Sequence, residues 1–123
     1  MKKVGIDFDN TIVCYDQLFY KIAREENLIP KESPHSKIFI RDYLRRQDKD
    51  EIFTTLQAEV YGKRILEACP SQGVLLAIKD LISKNYEVSI ISHKSKYPYK
   101  GPKYNLHNAA MLWLEKNNFI SNN

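Results

Sequence analysis

Two aspartates near the start of the chain, Asp7 and Asp9, stand in the segment Val4-Gly-Ile-Asp-Phe-Asp-Asn-Thr11, and their types and spacing fit phosphoryl-transfer chemistry. Such chemistry needs a nucleophile in line with phosphorus, a proton donor for the leaving oxygen, and positive charge to neutralise the phosphoryl oxygens. A carboxylate can attack, and a second carboxylate can donate and then accept the proton. Two residues apart at the end of a strand, the two side chains are expected on one face. A divalent cation between them would keep the first ionised beside a phosphate dianion, and Mg2+ suits hard oxygen donors while retaining waters. Asp7 and Asp9 are therefore both the candidate catalytic residues and the candidate metal ligands. A second candidate segment, Ser92-His93-Lys94, follows a hydrophobic run and offers a hydroxyl, an imidazole and an ammonium for substrate contact.

The elements that must position these residues can be read from periodicity. Val4, Ile6 and Phe8 alternate with small or polar residues, which predicts a buried strand over residues 2–8. Leu18, Phe19, Ile22 and Ala23 fall on one helical face, and the pattern stops between Asn27 and Pro30. After a Pro/Ser/His break, Phe39, Ile40, Tyr43 and Leu44 form a second stripe. The spacing of Asp48 to Glu51 fits a capping box opening a third helix, with Ile52, Phe53, Leu56 and Val60 on its apolar face. A fourth stripe comprises Val74, Leu75, Ile78, Leu81 and Ile82. It leads at Lys84-Asn85 into Tyr86–Ile91, a run rich in β-branched residues and expected to be a central parallel strand buried on both faces. Leu106, Ala110, Trp113 and Leu114 predict a last helix that fades near Asn117. Trp113 is expected in the core, and His35 and His107 are taken as structural.

This order predicts an α/β fold with parallel strands, in which both candidate segments lie at strand C-termini, where such sheets bind ligands. Residues 14–68, too long for a simple crossover, are expected to form a helical cap within a single domain spanning 1–123. A chain of 123 residues with 43% hydrophobic residues suffices for one core.

Asp7-Phe8-Asp9-Asn10-Thr11 after its hydrophobic strand resembles the first motif of the haloacid dehalogenase superfamily, and Ile90-Ile91-Ser92 resembles the second. The presence of an acid at position 9 is closer to the phosphatase branch. The resemblance implies a Rossmann-like parallel sheet with a small helical cap inserted after the first strand. It also implies a Mg2+-dependent phosphohydrolase acting on a small phosphorylated metabolite, with Asp7 forming an aspartyl-phosphate and Asp9 acting as acid and then base. Phe8, Asn10, Thr11, Ser92, His93 and Lys94 would line the substrate site, with Thr11 shaping the turn and Ser92 hydrogen-bonding a phosphoryl oxygen. The family's third motif is a lysine, for which Lys94, Lys96, Lys100 or Lys103 could stand. Its fourth, a later acidic pair, has no counterpart, since no aspartate follows Asp80. The chain is accordingly read as a C-terminally truncated form of the core. The alternative is a non-catalytic binding or interaction domain that has lost the metal-completing acids.

The formal charge is +4, and the basic excess lies after Ser92, where Glu115 is the one acid, so a phosphorylated ligand is favoured there. Nucleic acid is not expected as a partner: Tyr97, Tyr99 and Tyr104 sit in no known module. The run of aspartates near the N-terminus argues against a signal core, and a cytoplasmic protein without a membrane partner is expected. Cys14 and Cys69, 55 positions apart, lack metal-ligand spacing and are read as reduced, buried thiols. A sheet of two recognisable strands leaves open edges, which makes a homodimer a reasonable expectation.

Overall fold

The computed structural model describes residues 2–92, 96–98 and 103–120. Among them the chain is mixed α/β, with five α-helices, a two-stranded parallel sheet and a short antiparallel pair. It packs as two compact units: Met1–Cys14 with Cys69–His93, and Tyr15–Ala68 with Lys94–Asn123.

In the first unit β1 (Lys2–Asp7) and β4 (Tyr86–Ile91) pair in parallel, in register from Lys2↔Tyr86 to Asp7↔Ile91. A parallel pair needs a crossover, and α4 (Val74–Ser83) supplies it, packing on β4. Gly73, at φ 76°, admits the chain to α4 in the left-handed region that glycine takes without penalty. The helix ends where Asn85, at φ 68°, turns the chain into β4. Val4 and Ile6 are half-buried, as are Tyr86, Val88 and Ile90, while Gly5, Asp7, Glu87, Ser89 and Ile91 are exposed. The expectation of a strand buried on both faces is thus corrected: Tyr86–Ile91 alternates, because one face of this small sheet stays open. In the same unit β2 (Val13–Cys14) pairs antiparallel with β3 (Cys69–Pro70), a ladder too short to leave any periodicity in the sequence.

The second unit is helical. Its elements are α1 (Asp16–Glu25), α2 (Lys37–Arg45), α3 (Asp50–Ala58), a π-turn (Glu59–Lys63), a 3-10 turn (Ile65–Glu67) and α5 (Leu106–Lys116). The residues α1 buries are Leu18, Phe19, Ile22 and Ala23, and those of α5 are Leu106, Ala110, Trp113 and Leu114, the same stripes that the sequence predicts. Ser36 caps α2 by accepting a hydrogen bond from the Phe39 N–H (3.2 Å), and Asn105 caps α5 through the Asn108 N–H (3.0 Å). Helix ends are closed by left-handed residues that tolerate positive φ: Asn27 after α1, Asp48 after α2 and Asn118 after α5. Asp48 was expected to cap α3. At φ 57° it instead terminates α2, and the N-cap of α3 is Lys49, with no side-chain hydrogen bond.

Aromatic rings fill this unit's core. Phe19 stacks on Phe53 with centroids 5.7 Å apart, and Tyr15 meets Tyr61 edge-on at 4.8 Å. The 14–68 segment expected to be a cap is joined here by α5, which packs on the π-turn and the 3-10 turn. Trp113, fully buried, donates its Nε1–H to the Ala68 carbonyl (2.9 Å) and stacks on Phe119 at 5.6 Å. Arg64 makes a bidentate pair with Glu25 (2.7 and 2.8 Å) and a further bond to Glu67 (2.6 Å). No helix among the described residues is long and apolar enough to cross a membrane.

Candidate functional site

The candidate residues of the first unit gather at the C-terminal end of the parallel sheet. β1 ends at Asp7, whose partner across the ladder is Ile91, the last residue of β4. The Phe8 N–H extends this ladder by donating to the Ile91 carbonyl (2.8 Å), so the tip of β1 is hydrogen-bonded to the residue immediately before Ser92. Alternation along the strand sets Asp7 on the same face as Gly5, the exposed face. Ser92 is exposed as well.

From Phe8 the chain turns sharply. The Phe8 carbonyl accepts from both the Ile12 N–H (3.0 Å) and the Val13 N–H (3.2 Å), and Asp9 forms a bridge with Val13. Asn10 sits at φ 60°, the left-handed conformation the turn requires and one that asparagine adopts more easily than most residues. Phe8, Ile12 and Val13 are all fully buried and anchor the turn from below, leaving Asn10 and Thr11 exposed and Asp9 half-buried. The Ile12 carbonyl in turn accepts from the Ser71 N–H (2.9 Å), tying the turn to the segment that precedes α4.

This geometry corrects one step of the sequence reasoning. The pleat of β1 does not reach Asp9, because the strand stops at Asp7 and Asp9 belongs to the turn. The position of Asp9 is therefore set by the hydrogen bonds on the Phe8 carbonyl and by the buried Phe8 and Ile12 side chains. Ile12 and Ser71, which hold the turn, had no role in the sequence reading; the apolar pair Ile12-Val13 directly after a polar turn was the available signal. Phe8, expected at the substrate, has its side chain in the core at 0% exposure.

His93 and Lys94 lie outside the described residues, as does Lys100. Lys96 and Lys103 are exposed in the helical unit, where the Lys96 carbonyl accepts from the N–H of Leu106 (2.6 Å). Among the described residues no three His, Cys, Asp or Glu side chains are gathered closely enough to form a metal-binding group.

Comparison with models of known protein families, with curated proteins and with solved structures finds no match.

Proposed function

We propose that the chain is a Mg2+-dependent phosphohydrolase of the haloacid dehalogenase type, its sheet unit belonging to a Rossmann-like core, acting on a small phosphorylated metabolite in the cytoplasm. One observation carries this reading. An exposed carboxylate, Asp7, ends a parallel strand whose neighbour ends beside it, so that Asp7, the Asp9–Thr11 turn and Ser92 open at the same end of one sheet, the usual ligand end of such folds.

In this reading an Asp7 carboxylate oxygen attacks phosphorus while the ester P–O bond breaks and Asp9 gives its proton to the leaving oxygen. Asp9 then takes a proton from water, which displaces the aspartyl-phosphate, releasing inorganic phosphate and restoring Asp7. The Ser92 hydroxyl donates to a phosphoryl oxygen, and Asn10 and Thr11 line the rim. A magnesium ion held by Asp7 and Asp9 would neutralise phosphoryl charge.

The second reading, a non-catalytic domain that binds a phosphorylated ligand or partner, is favoured by the lack of a third acidic ligand beside Asp7 and Asp9 among the described residues. Turnover of p-nitrophenyl phosphate with magnesium separates the two. The first reading expects magnesium-dependent hydrolysis that Asp7→Asn lowers by about a thousandfold or more with the fold intact. Hydrolysis that survives Asp7→Asn removes this mechanism. No hydrolysis at all, with beryllium fluoride and magnesium still raising thermal stability, leaves the binding domain.

A further inference from the structure

We infer that Cys14 and Cys69 form a reversible disulfide by exchange with a low-molecular-weight disulfide such as oxidised glutathione. The inference is independent of any hydrolytic role. These are the chain's two cysteines, and the fold brings them directly opposite one another: in the antiparallel β2–β3 ladder Cys14 pairs with Cys69, and Val13 with Pro70.

The kind of pair follows from the hydrogen bonds around it. The Ser71 N–H donates to the Ile12 carbonyl (2.9 Å), which marks Ile12 and Ser71 as a hydrogen-bonded position of the ladder. Positions alternate, so Val13 and Pro70 occupy a non-hydrogen-bonded one. That agrees with proline's missing N–H and with the Val13 N–H being given to Phe8. Cys14 and Cys69 are next in the alternation, a hydrogen-bonded pair with Cα atoms about 5.5 Å apart, inside the roughly 4.4–6.8 Å window of disulfides. Directly opposite residues also project to the same face of a ladder. Their Cβ atoms, about 5 Å apart in such pairs, must close by roughly 1 Å to reach disulfide distance, which makes for a bond that is readily reduced. The ladder ends at this pair, where the chain leaves for the helices at Tyr15 and returns from Ala68, so the adjustment falls on two strand ends.

Exposure sets the order of events. Cys69 is exposed and Cys14 half-buried. The Cys69 thiolate attacks the small disulfide, forming a mixed disulfide and releasing one small thiol. The Cys14 thiolate then attacks the Cys69 sulfur, and the bond to the second small thiol breaks. Two protein thiols are oxidised, one small disulfide is reduced to two thiols, and the cysteine protons pass to the departing thiolates. The product closes the whole Tyr15–Ala68 helical segment into a covalent loop.

The test is to equilibrate the full chain with graded ratios of reduced and oxidised glutathione, quench by alkylation, and map disulfides by mass spectrometry, in buffer and in urea. A Cys14–Cys69 cross-link within one chain is expected, with an effective thiol concentration at least about tenfold higher in buffer than in urea, because the fold rather than the chain brings the sulfurs together. Equal values in buffer and urea, or cross-links only between chains, would overturn the inference. A Cys14→Ser chain should stop at a glutathione adduct on Cys69; a Cys69 that stays unmodified under the same conditions also overturns it.

Discussion

The two units of this chain divide stability and candidate chemistry unequally. Of the 22 buried hydrophobic residues among those described, four (Phe8, Ile12, Val13 and Ile78) belong to the sheet unit, and the remaining 18 belong to the helical unit. The sheet unit also leaves Leu76 73% exposed and Ile82 56% exposed on its crossover helix. Yet every described residue of the candidate site lies in it. Two strands with one open face are marginal by themselves, whereas the helical unit buries rings against rings. Elements that handle ligands are in general drawn from the less stable end of a structure, which is where the proposed site lies if burial sets the order. Each unit should therefore respond differently to the same kind of change.

The largest effect is expected in the helical core. Trp113→Ala removes a fully buried ring, its stack on Phe119 and the hydrogen bond to the Ala68 carbonyl, and should cost about 3–5 kcal/mol. Because this is the one tryptophan, urea unfolding should be followed by far-ultraviolet circular dichroism. A loss below about 1 kcal/mol would mean that α5 does not hold the unit together.

A matched pair of glycine substitutions sharpens the contrast. A Cβ added at Gly62 meets Tyr104 Cβ at 2.7 Å and its ring at 2.9 Å, at the rigid root of that side chain, so Gly62→Ala should destabilise by about 1–3 kcal/mol. A Cβ at Gly5 also comes within 2.7 Å of an atom, but that atom is the Cδ1 tip of Ile91, which is 44% exposed and free to swing away. Gly5→Ala should therefore fall within about 0.5 kcal/mol of the parent. Equal costs at the two positions would show the sheet face to be packed as tightly as the helical core.

What the sequence made legible follows the same division. The stripes of α1 and α5 were readable to the residue because each packs a full apolar face, and periodicity reports burial. The stripe of α4 reads equally clearly, but of Val74, Leu75, Ile78, Leu81 and Ile82 only Ile78 is buried, since periodicity cannot say how much lies opposite. The β2–β3 pair was beyond reach, because two-residue strands carry no alternation and their register depends on contacts across 55 residues. The meeting of Cys14 and Cys69 was hidden with it, and the exposed Cys69 departs from the buried thiol expected. At the candidate site the strand, its terminal Asp7 and the Ser92 strand end were legible. The turn that sets Asp9 was not, since it depends on which N–H groups reach the Phe8 carbonyl. Asp48 misled for a related reason: an aspartate serves equally to open a helix by capping and to close one by taking positive φ.

A smaller effect is expected at the turn itself. Asn10 holds φ 60° while exposed, so its side chain is dispensable for packing and its conformation is not. Asn10→Ala should cost about 1 kcal/mol, and Asn10→Gly should leave stability within a few tenths, the order that a left-handed residue dictates. Stability measured by urea unfolding checks the order. If alanine and glycine are equally tolerated, the turn around Asp9 is looser than its hydrogen bonds indicate.

The smallest effect separates the two units by pH. In the helical unit, hydrogen bonds from Arg64, and then from Lys21, hold the Glu67 carboxyl down at about 2, against an ordinary 4.5. The same guanidinium lowers Glu25. A carboxyl lowered by folding contributes stability that is complete above about 4.5 and disappears as pH falls through about 2. Glu67 is partly exposed, so the contribution is screened and should stay below about 1 kcal/mol. Glu67→Gln should accordingly be less stable than the parent near neutral pH, and the gap should close by about pH 2. In the sheet unit, Lys3 and Glu87 approach to 3.8 Å with both side chains largely exposed, and Glu87→Gln should produce no measurable gap at any pH. A gap for Glu87→Gln as large as that for Glu67→Gln would place ordered electrostatics on the open sheet face too, and the unequal division between the units would fail there.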